Sequence, residues 1–419
     1  RFLAVTNRVD YVADYGVEVA QGSNISDPVV DHLDEGLVVD AVAYPLLDGK
    51  RVLLEAYVQL CRLAEMRRVE FGVDEECFNR PFRSAARFSA GVIELPTCRH
   101  ADAHVSAIVP SGGDVRLPVV ARGRRLELRF QVELLSAAGP DSVLDVGALT
   151  APAFPLYAGE PDDVPDQAYL ATLRLRPGGK GRFPGLPPLG TPEEVVDLVQ
   201  MGVEPARWED DVEQARLDVL GGGRLLAFTK PGLLASVRGF LAAREAEVLR
   251  PVVLEVAVHS VRGDVASGPG RALDPEVSTL LTSARLPTLD GRWASLRLGT
   301  TRNYLADYAV EVAQEARIAD PIPGQSFGGL IANVRPHLPL EGRTVRVDLD
   351  LLLSEDGLAE KPFDAKVQYM GPIEQVRARQ TRLRTTVGVP RGGTTLLDAG
   401  PDPSTPDARL VVAISVTAP

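Results

Sequence analysis

Apolar and polar residues alternate with a period of two along several short stretches of the chain. Between residues 344 and 352, valine or leucine alternates with arginine or aspartate, and residues 17–20 and 126–134 repeat the alternation. Successive side chains of a strand point to opposite faces, so this period indicates strands with one face on a core and the other in water. The 38 glycines and 33 prolines between these stretches favour short strands joined by turns.

Two segments of the chain occur twice. Tyr11 to Pro28 aligns without a gap on Tyr304 to Pro321, and 12 of the 18 aligned positions are identical. Ile93 to Gly113 aligns in the same way on Ile373 to Gly393. The first pair is offset by 293 residues and the second by 280, so an insertion separates the copies between them. The chain therefore contains an internal duplication.

The stretches between the repeated segments also have a common character. Each reads as an apolar strand, a short polar turn and a second strand, with Asp48-Gly49 or Glu341-Gly342 in the turn. A glycine that follows an acidic residue between two apolar runs is typical of a hairpin. Each copy is therefore expected to contain consecutive antiparallel strands.

A different pattern lies between the copies. Residues 139–165 are rich in proline, glycine and aspartate and are expected to be a linker. A strand near Tyr169 precedes a helix that Thr191 and Pro192 start, since these residues favour the first helical positions. Two strands around a triple glycine and a helix from Lys230 to Ala246 follow. Residues 166–246 are therefore predicted to form a βαββα module.

Composition excludes some classes of partner. The chain has 419 residues and a formal charge of −12, which argues against nucleic acid because phosphate binding needs clustered lysine and arginine. It holds no stretch of the roughly 18 apolar residues that a membrane-spanning helix needs. Cys61, Cys77 and Cys98 match no zinc pattern. They could provide one disulfide and one free thiol, or three buried thiols.

Candidate chemistry is sparse. His100, Asp102 and His104 fall on one face of a strand, which is a geometry that metals use. The aligned residues of the second copy cannot form an equivalent site, because they are Gln380, Arg382 and Arg384. No nucleophile motif or paired-carboxylate spacing occurs. We therefore expect no metal site, no cofactor and no catalysis.

The second copy resembles the secretins, the outer-membrane channels of type II and type III secretion and of type IV pili. The resemblance covers residues 250–419. It rests on an apolar opening strand, a Ser-x-Arg-Leu-x-Thr-Leu-x-Gly-x-x-Ala segment, a Val-x-Val-Pro-x-Gly-Gly-Thr turn and a closing strand, found here at Arg250–His259, Ser283–Ala294, Thr385–Thr394 and Leu410–Thr417.

The resemblance implies a mainly β fold with a smaller α+β module. Two tandem secretin-like β-domains, at residues 1–138 and 247–419, would be separated by the linker and by a βαββα ring-building domain at residues 166–246. The first copy matches the family only from the gate region onward, so the chain is expected to continue upstream of Arg1.

The function implied is a ring-forming subunit of a secretin-like envelope pore, in the outer membrane or periplasm of a diderm bacterium. Its expected partners are further copies of itself, other envelope proteins and the outer membrane. A non-conducting ring or scaffold is the alternative. The duplicated motifs are expected to form the gate or the subunit contact, through Tyr11, Asp14, Tyr15, Asp27, Pro28, Tyr304, Asp307, Tyr308, Asp320 and Pro321. Alternatively, the second tyrosine of each motif is a core residue and each Asp-Pro pair a turn.

Overall fold

A computed structural model describes the chain at residues 2–20, 23–71, 91–121, 124–132, 143–144, 167–172, 192–208, 215–220, 224–229, 231–263, 267–313, 316–339, 341–358, 373–402, 404–405 and 407–418. Strands dominate these residues, and two α-helices lie in the middle of the chain.

The described residues contain nineteen strands and two α-helices. In order they are β1 (Phe2–Ala20), β2 (Ser23–Pro45), β3 (Arg51–Phe71), β4 (Gly91–Pro110), β5 (Asp114–Ala121), β6 (Arg124–Gln131), β7 (Val143–Leu144), β8 (Gln167–Thr172), α1 (Pro192–Gly202), β9 (Arg216–Leu220), β10 (Arg224–Thr229), α2 (Pro231–Val248), β11 (Pro251–Arg262), β12 (Gly268–Pro269), β13 (Ser278–Leu289), β14 (Ala294–Ala313), β15 (Ala316–His337), β16 (Thr344–Leu358), β17 (Val376–Pro390), β18 (Thr394–Pro401) and β19 (Ala408–Thr417).

The largest sheet has eight strands in the order β1-β2-β3-β4-β14-β15-β16-β17. Its first four strands come from the first copy and its last four from the second. A seam of eight residue pairs joins the copies where β4 meets β14, from Thr97 opposite Arg302 to His104 opposite Ser295. β1 and β17 lie at the two edges of this sheet within the described part of the chain.

The duplication is present in the backbone as well as in the sequence. β1 to β6 correspond in order to β14 to β19, and the register of β1 on β2 is irregular at the position aligned with the irregularity of β14 on β15. The aligned glycines Gly36 and Gly329 have φ values of 145° and 153°. A Cβ atom there would lie 2.1 Å from the carbonyl oxygens of Val5 and Leu298, which are also aligned. Only glycine permits this approach.

A second sheet of seven strands packs against the first. Its order is β12-β18-β19-β11-β13-β5-β6, so β5 of the first copy pairs with β13 of the second. Buried apolar residues of both sheets form the main core, for example Val105 and Leu296 on one side and Leu254, Leu286 and Val412 on the other. The two copies therefore share both sheets and one core. The predicted limits of the β-domains, 1–138 and 247–419, stay a prediction.

The module between the copies has the predicted order of elements, β8, α1, β9, β10 and α2. Its sheet runs β7-β8-β10-β9, with β7 contributed by the segment predicted to be a linker. Both helices pack on this sheet through Val199, Leu225, Leu233 and Val237. No helix in the described part of the chain is long and apolar enough to cross a membrane.

Candidate functional site

The predicted gate residues lie on two equivalent hairpins, β1–β2 and β14–β15. Tyr15 is opposite Pro28 in the first hairpin, and Tyr308 is opposite Pro321 in the second. Both Asp-Pro pairs therefore lie inside strands, and the interpretation of these pairs as turns is wrong. The other predicted residues lie on the same strands, namely Tyr11, Asp14, Asp27, Tyr304, Asp307 and Asp320.

The two aspartates that precede the second tyrosines hold a bulge in each hairpin. The register shifts by one residue between Val12 and Asp14, and it shifts at the aligned position just before Asp307. Asp14 Oδ1 accepts a hydrogen bond from the backbone N–H of Tyr15 at 2.8 Å. Asp307 Oδ1 accepts the same bond from Tyr308, also at 2.8 Å. A bulge bends its strand and increases the local twist, so both hairpins turn at this point.

Two glutamates support these bulges from neighbouring segments. Glu94 of β4 accepts a hydrogen bond from the backbone N–H of Val12 at 3.2 Å, and Glu374 accepts one from Leu305 at 2.9 Å. Glu374 also forms a forked ion pair with Arg67 of β3, in which Nη2 lies 2.5 Å from Oε2. Sequence reasoning missed both residues. The signal was there, because Glu94 and Glu374 occupy aligned positions in the second repeated segment.

A cluster of aromatic and aliphatic side chains joins the two hairpins near their bulges. Tyr308 is buried with Ile93 and Leu305, and Tyr15 packs at the edge of the same cluster. The Tyr15 hydroxyl lies 3.3 Å from both the carbonyl oxygen and the backbone nitrogen of Val92. The structure therefore brings Tyr15 and Tyr308 to one contact between the copies. Both tyrosines pack there, and Tyr15 also forms hydrogen bonds.

The first tyrosines of the two motifs have different surroundings. The Tyr11 hydroxyl donates a hydrogen bond to Asp31 at 3.2 Å, and burial beside this carboxylate raises the pKa of Tyr11 to about 12. In the second copy the residue aligned with Asp31 is Gly324. A Cβ atom there would lie 2.6 Å from the Tyr304 ring. A cleft of about 320 Å³ lies between the hairpins and is lined by polar groups that include Tyr11, Asp31, Glu94, Asn303 and Gln325.

The open edge of β1 exposes apolar side chains. Leu3 is 55% exposed and Val5 is 64% exposed. The aligned residues of β14, Leu296 and Leu298, are 2% and 4% exposed because β4 and the second sheet cover them. Aligned positions of the repeat thus differ in whether a neighbouring strand and the second sheet cover them. The edge of β1 therefore presents a surface that the same fold covers elsewhere.

The opposite edge of the sheet, β17, is basic. Arg382 is paired with Asp350 of β16 at 3.0 Å, and its side chain is 63% exposed. The arginines of β17 are Arg377, Arg379, Arg382 and Arg384. The hairpin at the other edge is acidic, since β1 and β2 carry Asp10, Asp14, Asp27, Asp31, Asp34, Glu35 and Asp40. The edge strand β17 is therefore basic, although its partner β16 carries acidic residues, whereas the whole β1–β2 hairpin is acidic.

Two histidines and two cysteines, His100, His104, Cys61 and Cys98, lie with Asp102 on one face of β3 and β4 beside the seam. Asp102 of β4 is buried and lies opposite Arg297 of β14. His100 lies opposite Cys61 of β3, and Cys98 is close by on the same face of β4. Cys61 and Cys98 are buried free thiols, while Cys77 lies outside the described residues. Across the described part of the chain, no group of three histidine, cysteine or acidic residues is placed to hold a metal ion.

Comparison with solved structures finds similarity to secretins. InvG, the type III secretion secretin of Salmonella, has 12% identity over 60% of this chain and 87% of its own, with a TM-score of 0.27. PilQ of the V. cholerae competence pilus has 12% identity over 61% and 78%, with a TM-score of 0.24. GspD of enteropathogenic Escherichia coli has 11% identity over 60% and 87%, with a TM-score of 0.22. No family model and no curated protein sequence matches the chain.

Proposed function

We propose that the chain is a ring-forming subunit of a secretin-like envelope pore, which gives passive passage to a protein, a fibre or a nutrient. The observation that carries this proposal is the seam between β4 and β14, where one copy of the repeat adds its edge strand to the next copy. The protein is not proposed to be an enzyme. Its proposed location is the outer membrane or periplasm of a diderm bacterium.

The seam supports a ring because it joins two different edges of the same unit. Contacts of this head-to-tail kind leave one edge free at each end, and repetition of the contact either closes a ring or extends a filament. Among the described strands, β1 and β17 are the free edges of this sheet, and each is the counterpart of a strand that is paired at the seam. Ring closure removes edge strands that would otherwise promote aggregation. Each chain would count as two units of such a ring.

The two bulged hairpins are proposed to form the gate. β4 and β14 stop pairing at Thr97 and Arg302. Beyond Arg302, β15 is the one described strand in register with β14, up to Ala313. The bulge beside Asp307 lies within this segment, and the first hairpin has the same construction. Strand pairs that leave a sheet at a bulge are suited to extend across a passage. Contacts of the ten predicted residues with a neighbouring subunit belong to this proposal.

A non-conducting scaffold is the second candidate, and the charge of the sheet favours it. The face opposite the core carries paired and exposed charges, including Asp350 and Arg382, together with a hydrogen bond of 2.7 Å between His337 and Asp348. Charged side chains in contact with lipid are costly. A ring surrounded by water on this face would have no such cost. The same face would also suit the lumen of a pore, so the two candidates differ in what surrounds the ring.

Negative-stain electron microscopy of the protein extracted from cell envelopes in mild detergent tests the proposal. We expect rings with central density, and a detergent belt around the rings would favour a pore over a scaffold. The variant Leu3→Lys/Val5→Lys should give no rings, because charge on an edge strand opposes further pairing. The control Val277→Lys/Leu280→Lys changes two residues that are exposed away from both edges, and it should retain rings. Monomers in every extract of the unsubstituted protein would overturn the proposal.

A further inference from the structure

We infer that Cys61 and Cys98 form an oxidation site, at which a hydroperoxide converts the two thiols to a disulfide between β3 and β4. The Cys61 sulfur reacts first, and the Cys98 sulfur then displaces the product. The site belongs to the first copy of the repeat and lies beside the seam. Its chemistry is independent of the proposed function, whereas its effect on the gate rests on that function.

The two cysteines are neighbours across the β3–β4 pair. Cys61 lies opposite His100 and Cys98 lies opposite Leu63, so the cysteines are diagonal neighbours on one face. The Cys98 thiol donates a hydrogen bond to the ionised Cys61 sulfur. A bulge interrupts the register between Leu63 and Glu65. The strand pair can adjust at this bulge to the shorter separation that a disulfide requires.

Both thiols lie on the face of the large sheet that is turned away from the second sheet. The core residues Ala56 and Ala103 are even-numbered in β3 and odd-numbered in β4. Cys61 and Cys98 have the opposite parity, so their side chains point to the other face. The two residues are 7% and 5% exposed. Such low exposure favours a small oxidant, such as a hydroperoxide, over a bulky one.

The surroundings make Cys61 the reactive thiol. The hydrogen bond from Cys98 lowers the pKa of the Cys61 thiol, and His100 acts in the same direction against the effects of burial and of Glu35. The same hydrogen bond, together with burial, raises the pKa of Cys98. The thiolate is the reactive form of cysteine, so Cys61 is ionised first while Cys98 keeps its proton. A cysteine with a lowered pKa beside a second thiol is typical of sites that form disulfides on oxidation.

The reaction consumes one hydroperoxide for each disulfide. The Cys61 thiolate attacks an oxygen of the peroxide and becomes a sulfenic acid as the O–O bond breaks. The leaving oxygen takes up a proton, which replaces the one that Cys61 released on ionisation. The Cys98 sulfur then attacks the Cys61 sulfur, and the S–S bond forms as the S–O bond breaks. The departing hydroxide takes the Cys98 proton and leaves as water.

The second copy shows which residues can replace the dithiol. Through equal registers of the two strand pairs, Cys61 corresponds to Ser354 and Cys98 corresponds to Ala378. Ser354 is only 2% exposed, so serine is accommodated at this buried position. The oxidation site is therefore confined to the first copy. The substitutions Cys61→Ser and Cys98→Ala introduce residues that the same fold already carries once.

The site lies where the pairing of the two copies ends. Cys98 belongs to the seam, one pair before its end at Thr97. Beyond this end, Glu94 of β4 supports the bulge of the β1–β2 hairpin, and Arg67 of β3 holds Glu374. A covalent bond between β3 and β4 limits how far these two supports can separate. Oxidation therefore stiffens the bulged hairpins that are proposed to form the gate.

Peptide mapping of the full chain under non-reducing conditions tests the site. The background Cys77→Ser leaves two cysteines, Cys61 and Cys98. After treatment with hydrogen peroxide, we expect loss of both free thiols and one intramolecular disulfide between them, which dithiothreitol reverses. In Cys77→Ser/Cys98→Ala, we expect a sulfenic acid at Cys61 that dimedone traps. The matched control Cys77→Ser/Cys61→Ser should keep its free Cys98 thiol through the same treatment.

The outcomes separate the oxidation site from the proposed function. Peroxide products without an intramolecular Cys61–Cys98 disulfide would overturn the inference, and so would dimedone labelling of Cys98 in the control. The Cys77→Ser protein keeps both cysteines of the site, so its mapping decides the question even if a further substitution prevents folding. If the disulfide forms and microscopy shows no rings, the oxidation site stands without the proposed function. If rings are seen and no disulfide forms, the proposed function stands alone.

Hydrogen–deuterium exchange tests the effect on the hairpins in the same Cys77→Ser protein. We expect slower exchange of the backbone amides of residues 91–97 after oxidation, because the disulfide holds this part of β4 to β3. Dithiothreitol should restore the original rates. Equal rates before and after oxidation, in protein whose disulfide is confirmed by mapping, would show that the site does not stiffen the hairpins.

Discussion

Single carboxylates stabilise the irregular points of the strands. Asp14 and Asp307 accept a backbone N–H at the bulges of the two hairpins, and Asp398 does the same for Gly400 at the bulge of β18, at 2.9 Å. A bulge leaves one backbone group outside the ladder, and a buried or half-buried donor without a partner is costly. A short acidic side chain close in sequence supplies the missing acceptor. Local sequence therefore encodes these bends, although no periodicity marks them.

The bulge at Asp398 predicts a dependence of stability on pH. A hydrogen bond and ion pair from Arg409 lower the pKa of Asp398 below its ordinary value of 3.8. A carboxylate with a lowered pKa in the folded state contributes stability that is present above its unfolded pKa and is lost as the pH falls through the folded pKa. We expect the thermal midpoint of the unsubstituted protein to fall between about pH 5 and about pH 2 by more than that of Asp398→Asn.

Arg409→Gln should resemble Asp398→Asn in this experiment, because it removes the charge that lowers the carboxyl pKa. Differential scanning fluorimetry across the pH range provides the measurement. Parallel pH profiles for the unsubstituted protein and both variants would contradict the role assigned to this pair.

At the scale of elements, one hairpin design is used twice in different surroundings. β14 is paired on both sides along the seam, with β4 and with β15. β1 is paired with β2 and forms the edge of the sheet. The close backbone contacts of Gly36 and Gly329 are the same in both hairpins, but the strand that must move to relieve them is free in one hairpin and held in the other.

Alanine at these two glycines should therefore have unequal effects. In the dissociated chain, Gly36→Ala is expected to lower the free energy of unfolding by about 1–3 kcal/mol, since β1 is then an edge strand that can shift outward, and Gly329→Ala by more, because β14 is held between β4 and β15. Gly239→Ala in α2 is the control, since a Cβ atom there meets no atom within 4 Å and alanine favours a helix by about 1 kcal/mol. Chemical denaturation measures all three. Equal losses at Gly36 and Gly329 would contradict the difference in surroundings.

At the scale of the whole molecule, ion pairs between the copies add to the shared core. Glu55 of β3 is fully buried and pairs with Arg292, which lies in the turn between β13 and β14. Another pair between the copies joins Glu374 to Arg67, whose side chain is 34% exposed. A buried pair is held at a large desolvation cost, so the loss of one member leaves an uncompensated charge inside the protein. These pairs therefore make the relative position of the copies specific.

Glu55→Ala should destabilise the chain by about 3–5 kcal/mol, and Glu55→Leu/Arg292→Met should recover much of that loss because no charge is then left unpaired. Asp350→Ala removes an exposed pair and should cost no more than about 1 kcal/mol. Unfolding in urea, followed by circular dichroism, measures the differences. A loss from Glu55→Ala as small as that from Asp350→Ala would show that the buried pair does not hold the copies together.

The sequence by itself determined that strands dominate, that part of the chain is duplicated and that the module between the copies has the order βαββα. The prediction of short strands is wrong for the largest sheet, where β2 and β15 are 23 and 22 residues long because each pairs along most of its length within a long hairpin. Alternation depends on which face of a strand is buried, and capping residues such as Pro192 act within one turn, so both signals are local. Because the segment occurs twice, the sequence also showed that residues as far apart as Tyr11 and Tyr304 occupy equivalent positions. It also held the signal for Glu94 and Glu374, which only the structure revealed.

The tertiary structure alone decided which strands are neighbours. Periodicity shows that residues 17–20 and 344–352 form strands but does not show which strands they pair with, because every half-buried strand has the same period. The contact between Glu55 and Arg292 spans 237 residues, and that between Arg67 and Glu374 spans 307. Such contacts depend on the packing of two sheets around one core. The exposed edges of β1 and β17 follow from the same packing. Which strands lie at the edges depends on how all the strands of the sheet pair.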